Sequence, residues 1–380
     1  MRWLLELGQI AGTAVRVHVT FLLFLAFIGI LVYRATGPAA AWDTLAFIIL
    51  IFICVVAHEF GHVLMARRFG ARTRNVTLFP IGGVANIERI PEKPSQEIFV
   101  ALAGPLVNLV IAFGLMLWLG RSLTNEDFSA MGNAETSLAL CISATNLMLM
   151  TFNLIPAFPM DGGRVLRALL ALKWSRARAT KIAAGIGQIF AFALGFLGLF
   201  GNPFLIIIAA FIFIAAGAEA DAAALHDSAR DLTVGEAMLT EYSTFHPSDT
   251  IRTSVEKLIQ PSDEIFPVID ETGRAFGFVT RLALLEALSN QTDMIPVSSL
   301  MTPFEITIRQ DDNLEKVLSR FETEEQPAFI VGEPDGHAIG LLTRASLAQA
   351  ILVHTARPGW HSHRDRLIAA SLPGLKKRSW

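Results

Sequence analysis

Disulfides are the first thing this chain lacks. Only two cysteines occur in 380 residues, Cys54 and Cys141, each inside an apolar segment and without a spaced partner, so the fold does not rest on a disulfide framework. They leave the compartment open. Charge is scarce as well: 17% of residues are charged, the net charge is −3 with nine histidines, and there is no basic stripe or interleaved aromatic surface. That excludes nucleic acid as a partner. No small-residue cleavage site follows the first apolar run, which therefore reads as a retained span rather than a removed signal peptide. Nor is an extracytoplasmic domain evident between the apolar segments.

What the chain has in excess is apolar length. Hydrophobic side chains make up 53% of it and the mean hydropathy is +0.49, too apolar for a pair of ordinary globular domains. The excess is confined to residues 1 to about 220; from 221 onward apolar and charged residues alternate as in a soluble domain. Six apolar segments stand out, at 17–33, 44–66, 98–119, 138–155, 182–200 and 203–218. Most meet the roughly 20 residues needed to cross a bilayer. The last two are separated only by Gly201-Asn202 and predict a tight helical hairpin. Arg67, Arg68, Arg72, Arg74, Arg89 and Lys93 follow the second segment, and Arg164, Arg167, Lys173, Arg176, Arg178 and Lys181 follow the fourth. The opposite loops hold only Arg34 and Arg121. This asymmetry predicts a cytoplasmic N-terminus and a cytoplasmic C-terminal region.

Inside the second segment lies His58-Glu59-Phe60-Gly61-His62. Positions i and i+4 share a helix face, so both imidazoles can reach one metal ion while Glu59 points beside it as a base for water. An ionisable group deep in a membrane helix costs about 2.5 kcal/mol or more, so these residues need a reason to be there. His58 precedes Arg67 by nine residues, which places it about 13 Å inside the cytoplasmic end of its helix. A catalytic zinc takes three protein ligands and leaves a position for water. The best third candidate is Asp161, in the run Asn153-Leu154-Ile155-Pro156-Ala157-Phe158-Pro159-Met160-Asp161-Gly162-Gly163, where prolines break an apolar helix and glycines close it. A broken helix at membrane depth is tolerated only where protein or a wet cavity shields its backbone. Asp-Gly is also a turn signal in its own right, which is the competing reading of Asp161.

Residues 231–355 contain a duplication. Val234-Gly235-Glu236-Ala237-Met238-Leu239 recurs as Val297-Ser298-Ser299-Leu300-Met301-Thr302, and Gly277-Phe278-Val279-Thr280-Arg281 recurs as Gly340-Leu341-Leu342-Thr343-Arg344, each 63 residues later. Each copy alternates β-branched runs with helical stretches, predicting a mixed α/β module.

Three motifs carry a resemblance to a known family: Ala57-His58-Glu59-Phe60-Gly61-His62, Gly104-Pro105-Leu106-Val107-Asn108, and Asn153 through Asp161-Gly162-Gly163. Over residues 15–220 the chain resembles the site-2 proteases, intramembrane zinc metalloproteases, in the branch with tandem cystathionine-β-synthase-type (CBS) domains. The resemblance implies a polytopic helical membrane bundle of about six spans followed by an α/β CBS pair. It implies zinc ligands at His58, His62 and Asp161, a catalytic Glu59, and Asn153 near the scissile carbonyl. Asn153 or Asn108 would donate to the developing oxyanion, a bond worth about 3 kcal/mol. Asn108 is equally read as a hydrogen-bonding link between helices. Cys54, one turn before His58, reads as a small buried apolar residue, with a fourth ligand as the alternative. His18, His246 and His337 read as interfacial or turn residues. Gly82-Gly83, within 76–90, reads either as a simple hairpin or as a strand-forming loop that holds an extended substrate by β-addition.

The expected division is 1–222 for the membrane protease, 223–290 and 291–357 for the two CBS modules, and 358–380 for a basic tail ending Lys376-Lys377-Arg378. Paired CBS modules commonly bind adenosine nucleotides through an aspartate after the Gly-x-x-Thr stretch. Ala283 and Ser346 stand there instead, leaving Thr280 and Thr343 as contacts; the competing reading is a dimerisation or gating module without a ligand. The implied partners are the lipid bilayer, a second copy through the CBS pair, and a membrane-spanning protein substrate such as an anti-sigma factor or a membrane-tethered transcription regulator. Two rival functions stand beside the protease: a transporter or channel regulated by the repeat, and an inactive protease relative that only binds in the membrane. Helices three, five and six show no charged path of the kind transport requires.

Overall fold

A computed structural model describes residues 3–71, 73–80, 82–87, 93–124, 137–258, 264–290, 294–304, 307–324, 326–333 and 337–356. Arg72, Arg89 and the basic tail lie outside these residues. The chain divides into two compact units, Met1–Ala223 and Ala224–Trp380.

The first unit opens on two strands that the hydropathy pattern did not separate from the first apolar run, β1 (Leu4–Ile10) and β2 (Thr13–His18). His18 then caps α1 (Val19–Thr36) by accepting from the Thr20 amide, so the helix begins two residues later than the apolar segment suggested. Gly37, at φ 95°, is the one-residue hinge to α2 (Pro38–Arg68), whose first position is a proline that needs no donor there. The 31 residues of α2 span about 46 Å, more than the hydrocarbon thickness, so its start extends well before the expected residue 44. Strands β3 (Thr73–Phe79) and β4 (Gly82–Ile87) follow. They complete a four-stranded sheet in the order β1-β2-β3-β4, antiparallel except for the parallel pairing of β2 with β3. Within the 76–90 segment, residues 76–79 and 82–87 thus form strands of a larger sheet rather than an isolated hairpin, with β4 at an edge among the described residues; residues 81 and 88–90 lie outside them.

Helix α3 (Pro94–Leu119) ends at Gly120, whose left-handed conformation closes the last turn. Next come α4 (Leu138–Asn153), the short α5 (Asp161–Leu170), α6 (Arg176–Phe200) and α7 (Phe204–Arg230). Among the described residues, α1, α2, α3, α6 and α7 are long and apolar enough to cross a membrane. The sixth expected span, α4, has 16 residues because Pro156 removes a donor and stops the helix early. Leu117, Trp118, Phe192 and Phe200 project outward from α3 and α6 more than three-quarters exposed, as lipid-facing side chains do.

The second unit is built from the repeat. In the first copy α8 (Val234–Ala237) places Val234 and Ala237 in the core of the second, while α9 (Ile251–Leu258), β5 (Ile265–Ile269), β6 (Ala275–Thr280) and α10 (Arg281–Ser289) surround a core of Phe245, Phe266, Val268 and Leu284. In the second, β7 (Thr302–Pro303) joins the sheet of the first copy, while β8 (Thr307–Ile308), α11 (Leu314–Thr323), β9 (Ala328–Gly332), β10 (Ala338–Thr343) and α12 (Arg344–Ala356) enclose Leu314, Phe321, Phe329 and Leu342. Each copy lends a segment to the other's sheet. Thr302 pairs with Phe278 on β6, and Leu239 pairs with Leu341 on β10, the same pairing displaced by the repeat. The parallel pairings Phe245 with Val268 and Ile308 with Val331 are related in the same way.

Candidate metal centre

Helical periodicity places His58 and His62 one above the other on α2, both buried, at 6% and 3% exposure. Their rings meet edge to face with Nε2 atoms 3.1 Å apart. His62 Nδ1 lies 2.7 Å from the carbonyl oxygen of Val100 on α3. With Nδ1–H donating to that oxygen, Nε2 keeps its lone pair for a metal.

Asp161 reaches the same point by a different route. The chain leaves α4 at Asn153, crosses the proline-containing segment 154–160, and re-enters helix at Asp161, the first residue of α5. Its Oδ2 lies 3.3 Å from His58 Nε2 and 3.2 Å from His62 Nε2, and the carboxylate is 8% exposed. Arg164 stands 4.0 Å from the other oxygen. The turn reading and the ligand reading of Asp161 thus describe one structure, since the turn delivers the carboxylate. Two imidazole nitrogens and one carboxylate oxygen form a triangle with sides of 3.1 to 3.3 Å. A tetrahedral ion with bonds of about 2.0–2.1 Å needs donors about 3.3 Å apart, so size and donor chemistry both fit zinc. Among the described residues this is the one group of three or more His, Cys, Asp or Glu side chains close enough to share an ion. Cys54 is buried on α2 and stands outside that group.

Helix α3 forms the floor. A Cβ on Gly104 would fall 2.3 Å from His62 Nε2 and 2.7 Å from His58 Nε2, and one on Gly61 would fall 2.7 Å from the Ala103 carbonyl oxygen. Only glycine lets α2 and α3 approach this closely. Asn108, one turn after Gly104 on the same helix, is 1% exposed, and its side-chain oxygen has no hydrogen-bond partner among the described residues. Ser143 links α4 to α3, its hydroxyl donating to the Ala112 carbonyl. Glu59 is half-buried, and its Cγ lies 2.8 Å from where a Cβ on Gly83 would be. Edge strand β4 therefore passes directly against this glutamate.

Asn153 is the half-buried last residue of α4. Thr280 and Thr343 lie in the second unit as the residues preceding α10 and α12, where each hydroxyl accepts the amide hydrogen three residues on, from Ala283 and Ser346. His18 caps α1 and stacks on Phe79, while His246 bonds Ser248 within its turn. His337 pairs with Arg274 in an isolated bridge.

Sequence reasoning did not assign the Val100 carbonyl or the steric role of Gly104. It also counted Arg167 and Arg176 only as loop charges and left Glu97 and Glu219 aside. Glu97 and Arg167, each 3% exposed, are a buried ion pair beside the centre. The available signal was the placement of Glu97 and Glu219 at the edges of apolar segments, where a charge calls for a partner.

The sequence matches the model of peptidase family M50 over residues 46–143 and 122–194, and that of the CBS domain over 234–290 and 297–353. It is similar to the zinc metalloprotease MJ0392 of Methanocaldococcus jannaschii, with 28% identity over 93% of this chain and 97% of that protein. It is also similar to the putative zinc metalloprotease sll0528 of Synechocystis, with 29% identity over 81% of this chain and 83% of that protein. A solved site-2 protease from Methanocaldococcus jannaschii is 36% identical, covering 57% of this chain and 95% of that one, with a TM-score of 0.44.

Proposed function

The chain belongs to peptidase family M50, the site-2 protease family, with a tandem CBS pair, and from that footing we propose that it is an intramembrane zinc endopeptidase that cuts a transmembrane segment of a membrane-bound protein. The observation that carries this reading is the convergence of His58, His62 and Asp161 on one point, with Glu59 on the same helix. In this reading the three residues hold zinc, which when bound acidifies water and polarises a peptide carbonyl. Glu59 takes the proton of the attacking water on its carboxylate and delivers it to the leaving amine. Asn108 and Asn153 donate to the oxyanion or to the substrate backbone.

The substrate is held extended. Edge strand β4, which among the described residues pairs on one side only, passes against Glu59, so strand addition there would bring a paired backbone to the proton acceptor. A groove of about 1950 Å³ lined by apolar residues of α1, α2 and α4, among them Phe24, Phe47, Ile51 and Met148, reaches Ile155 in the segment that leads to Asp161. Its mainly apolar lining suits an apolar segment of a substrate. Removal of zinc from the purified protein by a chelator is expected to stop cleavage of a membrane-reconstituted substrate, and added zinc to restore it. Cleavage by protein shown to be metal-free would overturn the reading.

We assign 1–222 to the protease, 223–290 and 291–357 to the CBS modules, and 358–380 to a basic tail, with the N-terminus and the CBS pair cytoplasmic. The surplus of Lys and Arg after α2 and α4 supports that orientation. The substrate class is a membrane-tethered regulator such as an anti-sigma factor, and the CBS pair controls the protease by binding an adenosine nucleotide or by pairing two copies. The second unit holds a cavity of about 200 Å³ where Leu232, Leu239, Ala350 and Val353 stand beside Glu236, Ser346, Gln349 and His354. Calorimetry with AMP and ATP on the full-length protein is expected to show saturable heat. Absence of heat with both nucleotides would leave pairing of copies as the control.

A further inference from the structure

Asp161 is a ligand only while α5 holds one position against α2. With ten residues and a start at a proline-broken segment, this helix cannot set its own place by length or by continuity with α4. Six residues beyond Asp161, about 9 Å along the axis, its Arg167 enters the interior. The Arg167 Nε donates to Glu97 Oε1 at 2.7 Å and Nη2 stands 2.5 Å from the same oxygen, while Nη1 donates to Glu219 Oε1 at 2.6 Å. The second oxygen of Glu97 lies 3.4 Å from Arg176 Nη2, at the start of α6. The guanidinium also lies over the ring of Phe158, 5.1 Å from its centroid, in the segment that delivers Asp161.

One side chain of α5 thus touches α3, α7 and the broken segment, and α6 closes the cluster. Two glutamates and two arginines leave it neutral. A buried ion pair of this kind is weak evidence for stability, because the cost of removing both charges from water offsets their attraction. What it supplies is geometry: a planar fork with fixed donors tolerates little rotation or sliding of the helix that carries it. Its anchor is telling. Glu97 lies on α3 one turn before Val100, whose carbonyl orients His62, and two turns before Gly104, the floor under both imidazoles. The same helix is therefore the reference for His62 and, through Arg167, for Asp161.

We propose that Arg167 is a positioning residue that sets Asp161 in register with His58 and His62, held for that purpose by Glu97 on α3 and Glu219 on α7. This rests on the reading of Asp161 as a zinc ligand. The test measures zinc affinity by chelator competition and the visible absorption of the cobalt-substituted site in the full-length protein in detergent, with thermal unfolding of the metal-free form alongside. Four proteins are compared: wild type, Asp161→Asn, Arg167→Lys and Glu219→Gln. Lys keeps the charge of Arg167 but loses its fork, so zinc binding should weaken about ten-fold or more, with an altered cobalt spectrum. Glu219, whose side chain is 39% exposed, can lose its charge without burying an unpaired one; Glu219→Gln should shift both readings in the same direction and carries the test alone if Arg167→Lys does not fold. Wild-type affinity and spectrum in Arg167→Lys and Glu219→Gln, with weakened zinc in Asp161→Asn, would reduce Arg167 to a link between helices and overturn the proposal. Wild-type zinc binding by Asp161→Asn would instead remove the ligand reading on which it stands.

Discussion

Replacement of Glu59 by Gln is expected to lower cleavage by about 10² to 10⁴-fold while zinc content and thermal unfolding stay at wild-type values. The size follows from what the residue does: a positioned general base contributes a rate factor of that order, and an amide cannot accept the proton of the attacking water. The selectivity follows from shape. Gln has the same outline as Glu, so the close passage of Gly83 over the side chain is preserved, and the His58, His62 and Asp161 donors are untouched. Loss of a partly buried negative charge beside two imidazoles does not remove a ligand. A comparison of membrane proteomes from cells carrying wild-type or Glu59→Gln protein doubles as a search for the substrate, which accumulates uncut with the variant. Undiminished proteolysis by Glu59→Gln would sink the hydrolytic assignment, and loss of zinc together with activity would show that Glu59 holds the site rather than acts in it.

Gly104→Ala is expected to weaken zinc binding by about 100-fold, although the residue offers no ligand atom. The added methyl would stand 2.3 Å from His62 Nε2 and 2.7 Å from His58 Nε2, well inside contact distance. Either α3 must withdraw from α2 or the imidazoles must swing away, and both disperse a triangle whose sides match a tetrahedral ion. The helix itself does not suffer, since alanine is the better helix former by about 1 kcal/mol in a helix interior. Gly114→Ala, on the same helix with open space around its Cβ position, provides the control and should bind zinc normally. Measurement of zinc per protein after dialysis against a weak chelator decides the matter; equal retention by both variants would show that the floor is pliable.

The chemistry of the centre was legible before any coordinates because most of it is local. His58 and His62 meet by helical periodicity alone, and the glutamate between them follows from the same geometry. Asp161 is more than ninety residues away, yet the prolines and glycines around it announced a helix broken for a purpose. The duplication was legible from two matches 63 residues apart, but not the reciprocal lending of Thr302 to β6 and Leu239 to β10. The N-terminal strands were hidden because Val15 and Val17 join smoothly onto the apolar run of α1, and hydropathy does not distinguish a buried strand from the start of a buried helix. The fourth segment, expected over 138–155, ends as a helix at Asn153, ahead of Pro156.

Sequence by itself determined the class of the chain, its division into an apolar part and a repeated α/β part, and the donor set His58, His62 and Asp161 as candidates for one ion. These rest on composition, period and turn chemistry, which act over a few residues. Only the tertiary structure decided that the three donors lie 3.1 to 3.3 Å apart, that Gly104 leaves them the room, and that Val100, Glu97 and Arg167 refer both ligand helices to α3. Such distances depend on how closely whole helices approach and how they are rotated about their axes, and that is set by side chains far apart in the chain packing against one another.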